Sequence, residues 1–124
     1  MLLSSALSGT FQSAQLARDL SGYGDHIFLV DSRTVTLAEQ LLVRRALTYR
    51  EEGRTAAEIA ALLEEEKGQI RLYAVVDTLK YLQKGGRLPK AAAVAGTLLG
   101  IKPVITVRDG KVGLAGKDVY KRQV

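Results

Sequence analysis

The 124-residue sequence predicts an α/β protein whose second part changes character. Three observations carry that prediction. Strand-like and helix-like runs alternate from Leu2 to about residue 70. A hairpin signature, Arg108-Asp109-Gly110-Lys111, then sits between two short β-prone runs. The charge also reverses near Gly68: residues 1–66 hold six Lys+Arg against ten Asp+Glu, a balance of −4, and residues 67–124 hold twelve against three, a balance of +9. Together these changes place a domain boundary near Gly68, with an alternating α/β part before it and a hairpin sheet after it.

Each element has a local reason. Leu2 and Leu3 read as a strand stub that ends in the polar turn Ser4-Ser5. A helix is expected to begin between Ser8 and Thr10 and to end near Gly22-Tyr23-Gly24, with Phe11, Ala14 and Ala17 at helical spacing. His26 to Val30 is a short apolar run bounded by aspartates, as a buried parallel strand would be. Thr36-Leu-Ala-Glu39 and Thr55-Ala-Ala-Glu58 both match a capping box, so each opens a predicted helix. The first presents Ala38, Leu41, Leu42, Ala46 and Tyr49 on one face and stops at Gly53. The second presents Ala56, Ile59, Ala60 and Leu63, and the Glu64–Glu66 run reads as its solvated end. Ile70 to Val76 is the next strand. A short helix, a Gly-Gly-Arg loop and a small-residue helix with Ala91, Val94, Ala95 and Leu98 on one face follow. Val104–Val107 and Val112–Leu114 then form the hairpin.

Composition bounds the function. Apolar residues make up 47% and charged residues 25%, the balance of a globular protein with one ordinary domain's worth of chain. No apolar run approaches the roughly 20 residues a membrane helix needs, and Met1-Leu2-Leu3 lacks the charged start and long apolar centre of a secretory signal. Cysteine is absent, which removes disulfides and thiolate metal sites. A cytoplasmic location is the expectation. A basic second half attracts an acidic partner, a phosphate, a membrane surface or nucleic acid, while a solvated lysine-rich face accounts for it equally well.

Two segments can carry a site. Ser8-Gly9-Thr10 stands where a turn gives way to a helix, whose first N–H groups lack internal partners and whose dipole favours negative charge. Gly9 lets an anion approach the backbone, and the two hydroxyls add donors, which suits a carboxylate or phosphate. Taken alone, the triplet is better explained as a helix cap. Lys84-Gly-Gly-Arg87 can be an anion loop, with Arg87 supplying a planar fork of donors. Ordinary punctuation explains the glycines and Pro89, but not the arginine. Ala91 to Leu99 is smooth enough to pack closely on a neighbour. His26, the sole histidine, has no orienting carboxylate beside it in sequence, and Asp31-Ser32 at the end of its strand reads equally as a ligand-facing pair or a capping turn. No metal-ligand spacing, phosphate-binding loop or nucleophile–base pair is present, so neither a cofactor nor a catalytic site is expected.

The runs SSALSGTFQSA, from Ser4 to Ala14, and VDTLKYLQKGGRLPKAAAVAGTLLGIKPVITVRDGK, from Val76 to Lys111, resemble the DegV family of fatty-acid-binding proteins in order and spacing. The likeness extends from Leu2 to Lys117, weakens at Thr36–Gln40 and stops at Asp118. It implies that Ser8 and Gly9, with Thr10, hold a fatty-acid carboxylate and that Arg87 lies near that head group. It also implies an acyl chain enclosed between two domains, with Leu98, Leu99 and Ile101 as candidate lining. It further implies that the chain is an internal piece of a two-domain protein, marginally stable by itself: a partial parallel α/β/α domain over residues 1–68, the beginning of a second α/β domain with a mixed sheet over residues 69–117, and a tail, DVYKRQV at residues 118–124, outside the family pattern.

The resulting expectation is a protein that binds a long-chain fatty acid and presents its carboxylate to a separate ATP-dependent fatty-acid kinase subunit, with transient contact to a membrane surface. The alternatives are an enzyme domain related to dihydroxyacetone kinases, which needs a covalent histidine or nucleotide site, and a basic anion- or nucleic-acid-binding module. Nucleic acid is not an expected partner, because the basic half lacks interleaved aromatics and a recognisable binding motif.

Overall fold

The structure, a computed structural model, describes residues 1–89 and 102–115. It is a mixed α/β fold built from helices and a small antiparallel sheet. Helix α1 spans Thr10–Leu20, α2 spans Thr36–Glu51 and α3 spans Ala56–Glu66; strand β1 (Leu72–Val75) leads into α4 (Lys80–Lys84), and strands β2 (Val104–Arg108) and β3 (Lys111–Leu114) form the hairpin. Short 3₁₀ turns occupy Gly24–His26 and Lys67–Gln69.

Helices α2 and α3 pack together over the first apolar core. Leu42 and Leu63 meet Val30 there, with Met1, Ala46, Ile59, Ala60 and Ile70 packed around them. The predicted face of α2 is buried at Ala38, Leu42 and Tyr49, but Leu41 is 49% exposed and so belongs to the helix's outer side. Thr55 caps α3 in a reciprocal box: its side chain accepts from the Glu58 N–H while the Glu58 carboxylate accepts from the Thr55 N–H at 2.8 Å. Arg45 and Tyr49 on α2 both reach Glu66 on α3, and the Arg45 guanidinium also stacks 4.8 Å from the Tyr49 ring centroid.

The capping box expected at Thr36 does not form. Thr36 adopts φ 55°, Val35 takes the cap position in extended conformation, and no side chain caps the helix. A β-branched residue with positive φ is strained, and Thr36 stands as the first residue of the helix instead of its cap. The expected strand at His26–Val30 is also absent. Its first residue is drawn into the 3₁₀ turn, and Phe28 is 44% exposed, so the run is not covered on both faces as a parallel strand requires. Parallel pairing shrinks to one bridge, Leu2 with Asp31, made by the Leu2 N–H to Val30 and the Ser32 N–H to Leu2, each at 3.1 Å. Helix α1 starts at the predicted place but buries none of its residues, and Leu16 and Leu20 are 61% and 77% exposed.

The sheet has the order β1-β2-β3 with antiparallel pairing throughout the described residues. Leu72 faces Val107 and Ala74 faces Ile105, while Ile105 faces Leu114 and Val107 faces Val112. This alternation puts the apolar members on one side, where Leu79 and Leu88 complete a second core with Leu82, Ile105, Val112 and Leu114. At the β2–β3 bend Asp109 and Gly110 take φ 50° and 78°, the pair of left-handed residues that a two-residue hairpin turn needs. The predicted small-residue helix, Ala91–Leu99, lies outside the described residues.

Candidate functional site

The N-terminal segment is fixed before it reaches α1. Ser4 is fully buried, its N–H bonds to the Thr34 carbonyl at 2.9 Å, and its hydroxyl donates to the Gly110 carbonyl at 2.7 Å. Asp31 grips the next residue: its carboxylate accepts from the Ser5 N–H at 3.1 Å, the Ser5 hydroxyl at 2.5 Å and the Arg33 N–H at 3.0 Å. Burial pushes the Asp31 carboxyl up, but the Ser5 hydroxyl, the Arg33 and Ser5 amides and the nearby Lys67 charge outweigh it and hold the group below its ordinary value. Lys67 also donates to the Asp31 carbonyl at 3.0 Å. Sequence reasoning marked Asp31 and Ser32 but treated Ser4 and Ser5 as an ordinary turn. Two adjacent serines closing an apolar stub were the available signal.

From that anchored start the chain turns through Leu7 and Ser8, whose N–H groups both bond to the Ser4 carbonyl at 3.0 and 3.2 Å. Gly9 occupies the cap position of α1, and no side chain caps the helix. The Ser8 hydroxyl lies 2.7 Å from that of Thr10 and accepts from the Thr10 N–H at 3.3 Å. Ser8 therefore engages the Thr10 hydroxyl and the first amide of α1, and the cap residue Gly9 adds no side chain to hold the amides that follow. Gly9 and Thr10 are exposed, and nothing lies within 4 Å of where a Gly9 Cβ would stand. The loop is an accessible set of donors at a helix N-terminus.

Arg87 comes to this loop from 80 residues away: its Nε donates to the Leu7 carbonyl at 3.1 Å, and a terminal nitrogen donates to Gly85. Gly86, at φ 74°, supplies the bend that turns Arg87 back toward the first part of the chain. Ser8, Gly9, Thr10 and Arg87 are thus gathered in one place. The candidate acyl-chain residues Leu98, Leu99 and Ile101 lie outside the described residues. His26 is exposed and its side chain makes no hydrogen bond among the described residues, and no group of three or more metal-ligating side chains occurs among them.

A family profile described as "Uncharacterised protein, DegV family" matches residues 1–123, a span that takes in most of the 118–124 tail. The chain belongs to the DegV family. A DegV domain-containing protein of Clostridium perfringens is 41% identical over 112 residues, covering 88% of this chain and 38% of that protein. The chain spans about two fifths of the length of the curated relatives it matches. Among solved structures, a fatty-acid-binding DegV-family protein of Thermus thermophilus superposes with a TM-score of 0.76 at 37% identity, over 92% of this chain and 40% of the other. A stearic-acid-binding protein of Eubacterium ventriosum gives a TM-score of 0.79 at 31% identity, over 97% and 43%. The DegV fold expected from the sequence is therefore the fold of this chain. No described helix is long and apolar enough to cross a membrane.

Proposed function

We propose that this DegV-family chain carries the head-group site of a protein that binds a long-chain fatty acid. The observation that carries the reading is the Arg87–Leu7 hydrogen bond, which sets a guanidinium beside the uncapped N-terminus of α1. Helix N-terminal amides, the paired hydroxyls of Ser8 and Thr10, and a planar cation form a set of donors that a carboxylate satisfies. The solved relatives described as fatty-acid-binding support the same ligand class.

The protein works by binding rather than by chemistry. Leu98, Leu99 and Ile101 line the acyl chain, whose removal from water contributes roughly 0.8 kcal/mol per CH₂. The carboxylate, held at the exposed Gly9 and Thr10, is open to a second protein, and an ATP-dependent fatty-acid kinase acting in the cytoplasm, with brief contact to a membrane surface, is the partner this exposure suits. Residues 1–68 supply the cradle, and residues 69–117 supply Arg87 and the candidate lining residues.

Lipid extracted from the purified protein and identified by mass spectrometry tests the ligand class. Ser8→Ala should weaken fatty-acid binding by on the order of 1–3 kcal/mol, the range for losing a hydrogen bond to a charged group. Undiminished affinity in Ser8→Ala overturns the assignment, because a residue that only shapes the helix start alters stability without altering ligand binding.

A further inference from the structure

A cleft of about 510 Å³ opens where the 33–34 segment, the α3–β1 connection and the β2–β3 turn meet. Its walls gather Arg33, Lys67, Arg71 and Arg108 from separate stretches of chain, opposed among the described residues by Glu64 and Asp109 alone, so the lining carries a formal +2. Both carboxylates are already engaged. Glu64 pairs with Lys67, and Asp109 stands 3.7 Å from Arg33 with its own side chain 92% exposed, a pairing too solvated to neutralise the cleft. Arg71 turns one terminal nitrogen to the Gly68 and Ile70 carbonyls.

The Arg108 side chain makes no hydrogen bond or ion pair among the described residues, and the hairpin register puts it directly across from Lys111. Like charges facing one another across a strand pair repel. A hairpin end that concentrates cations in this way gains from an anion that offsets them. Ile70 and Val107 form apolar wall beside the cations. None of Ser8, Gly9, Thr10 or Arg87 lines this cleft, so it is separate from the carboxylate cradle.

We infer that this cleft binds a phosphate monoester. Three guanidinium groups offer forks that match a tetrahedral oxyanion through paired N–H donors, and a dianion suits the +2 lining better than a carboxylate does. The volume admits the phosphate together with a small polar substituent, whereas an acyl chain would meet mainly charged walls. The monoester belongs either to a soluble metabolite or to the head group of phosphatidic acid.

Calorimetric titration of the protein with inorganic phosphate and with glycerol 3-phosphate, beside co-sedimentation with phosphatidylcholine vesicles with and without phosphatidic acid, tests the inference. Saturable binding of the soluble probes identifies a free phosphate ligand; binding only to the phosphatidic-acid vesicles identifies the lipid head group. In either case Arg71→Gln combined with Arg108→Gln should lower affinity by roughly tenfold or more, the scale of losing charge-assisted hydrogen bonds. Arg44→Gln combined with Arg50→Gln, which removes the same charge from α2, should change it little. Arg108→Lys, which keeps the charge and the fold but loses the fork, should weaken binding severalfold. Equal losses in the two double variants, no loss in Arg108→Lys, or no saturable binding of any probe overturns the inference.

Discussion

The Ser4 hydroxyl and the Gly110 carbonyl, 106 residues apart, are joined by a buried 2.7 Å hydrogen bond. The contact is possible only because Gly110 has no side chain. A Cβ there would stand 2.5 Å from Ser4 Oγ, and the φ of 78° already excludes most other residues. One small residue therefore shapes the hairpin turn and lets it seat on the segment that leads into the site.

Gly110→Ala is accordingly expected to destabilise the protein by about 1–3 kcal/mol from backbone strain alone, and by more once the clash is included. Ser4→Ala, which leaves the Gly110 carbonyl without its donor, should cost on the order of 1–3 kcal/mol. Because Ser4→Ala also removes the atom that the new methyl meets, the double variant should lose clearly less than the two single losses together. Urea unfolding of all four proteins measures the coupling; strict additivity would show that the two residues act independently.

Acid should loosen the loop that Asp31 holds. The folded Asp31 carboxyl lies below its ordinary value of 3.8, so the stability it adds is complete above that pH and is lost as the pH falls through the depressed value. Glu66, lowered by hydrogen bonds from Arg45 and then Tyr49, acts in the same direction. Melting temperature should fall more steeply with decreasing pH below about 4 in the parent than in Asp31→Asn, whose melting temperature should be lower at neutral pH. Parallel pH profiles for the two proteins would rule out the Asp31 linkage.

The two threonines that share one sequence pattern should respond oppositely. Thr55→Ala removes a formed cap and is expected to cost about 1 kcal/mol. Thr36→Gly relieves a β-branched residue at φ 55° and should be neutral or stabilising, by up to about 1 kcal/mol. Thermal unfolding distinguishes them, and a loss at Thr36 matching that at Thr55 would show that both cap their helices in solution.

That contrast marks how far the sequence could be read. Helical periodicity found α2 and α3 because Leu42 and Leu63 are held by a local pattern, but it also set Leu41 and Ala56, both exposed, on the buried faces. Asp109-Gly110 found the hairpin because left-handed backbone is a local demand. The Ser8–Thr10 loop and Arg87 were legible as candidates, but their meeting depends on an 80-residue closure that no local spacing encodes. His26–Val30 misled for the same reason: an apolar run becomes a strand only where partners flank it, and among the described residues one bridge, Leu2 with Asp31 just past the run, is all that forms. Ser4 was overlooked because its role is set by a carbonyl in a distant turn.

Arg87 allows the most discriminating test of the site. Its Nε reaches the Leu7 carbonyl and a terminal nitrogen reaches Gly85, which fixes the plane of the guanidinium beside the Ser8–Thr10 loop. A lysine supplies the same charge as a mobile point without that plane. If the fork orients a carboxylate, Arg87→Lys should weaken fatty-acid binding by roughly tenfold, a difference of about 1.4 kcal/mol, and Arg87→Ala should weaken it further. Both variants should keep a cooperative melt, because the side chain is exposed and outside both apolar cores. Titration with a fluorescent fatty acid at low and high salt separates the contributions. Salt should weaken binding in the arginine and lysine proteins and have less effect in the alanine variant. Equal affinity in Arg87→Lys and the parent would mean that the charge alone acts there, and equal affinity in all three would remove Arg87 from the site.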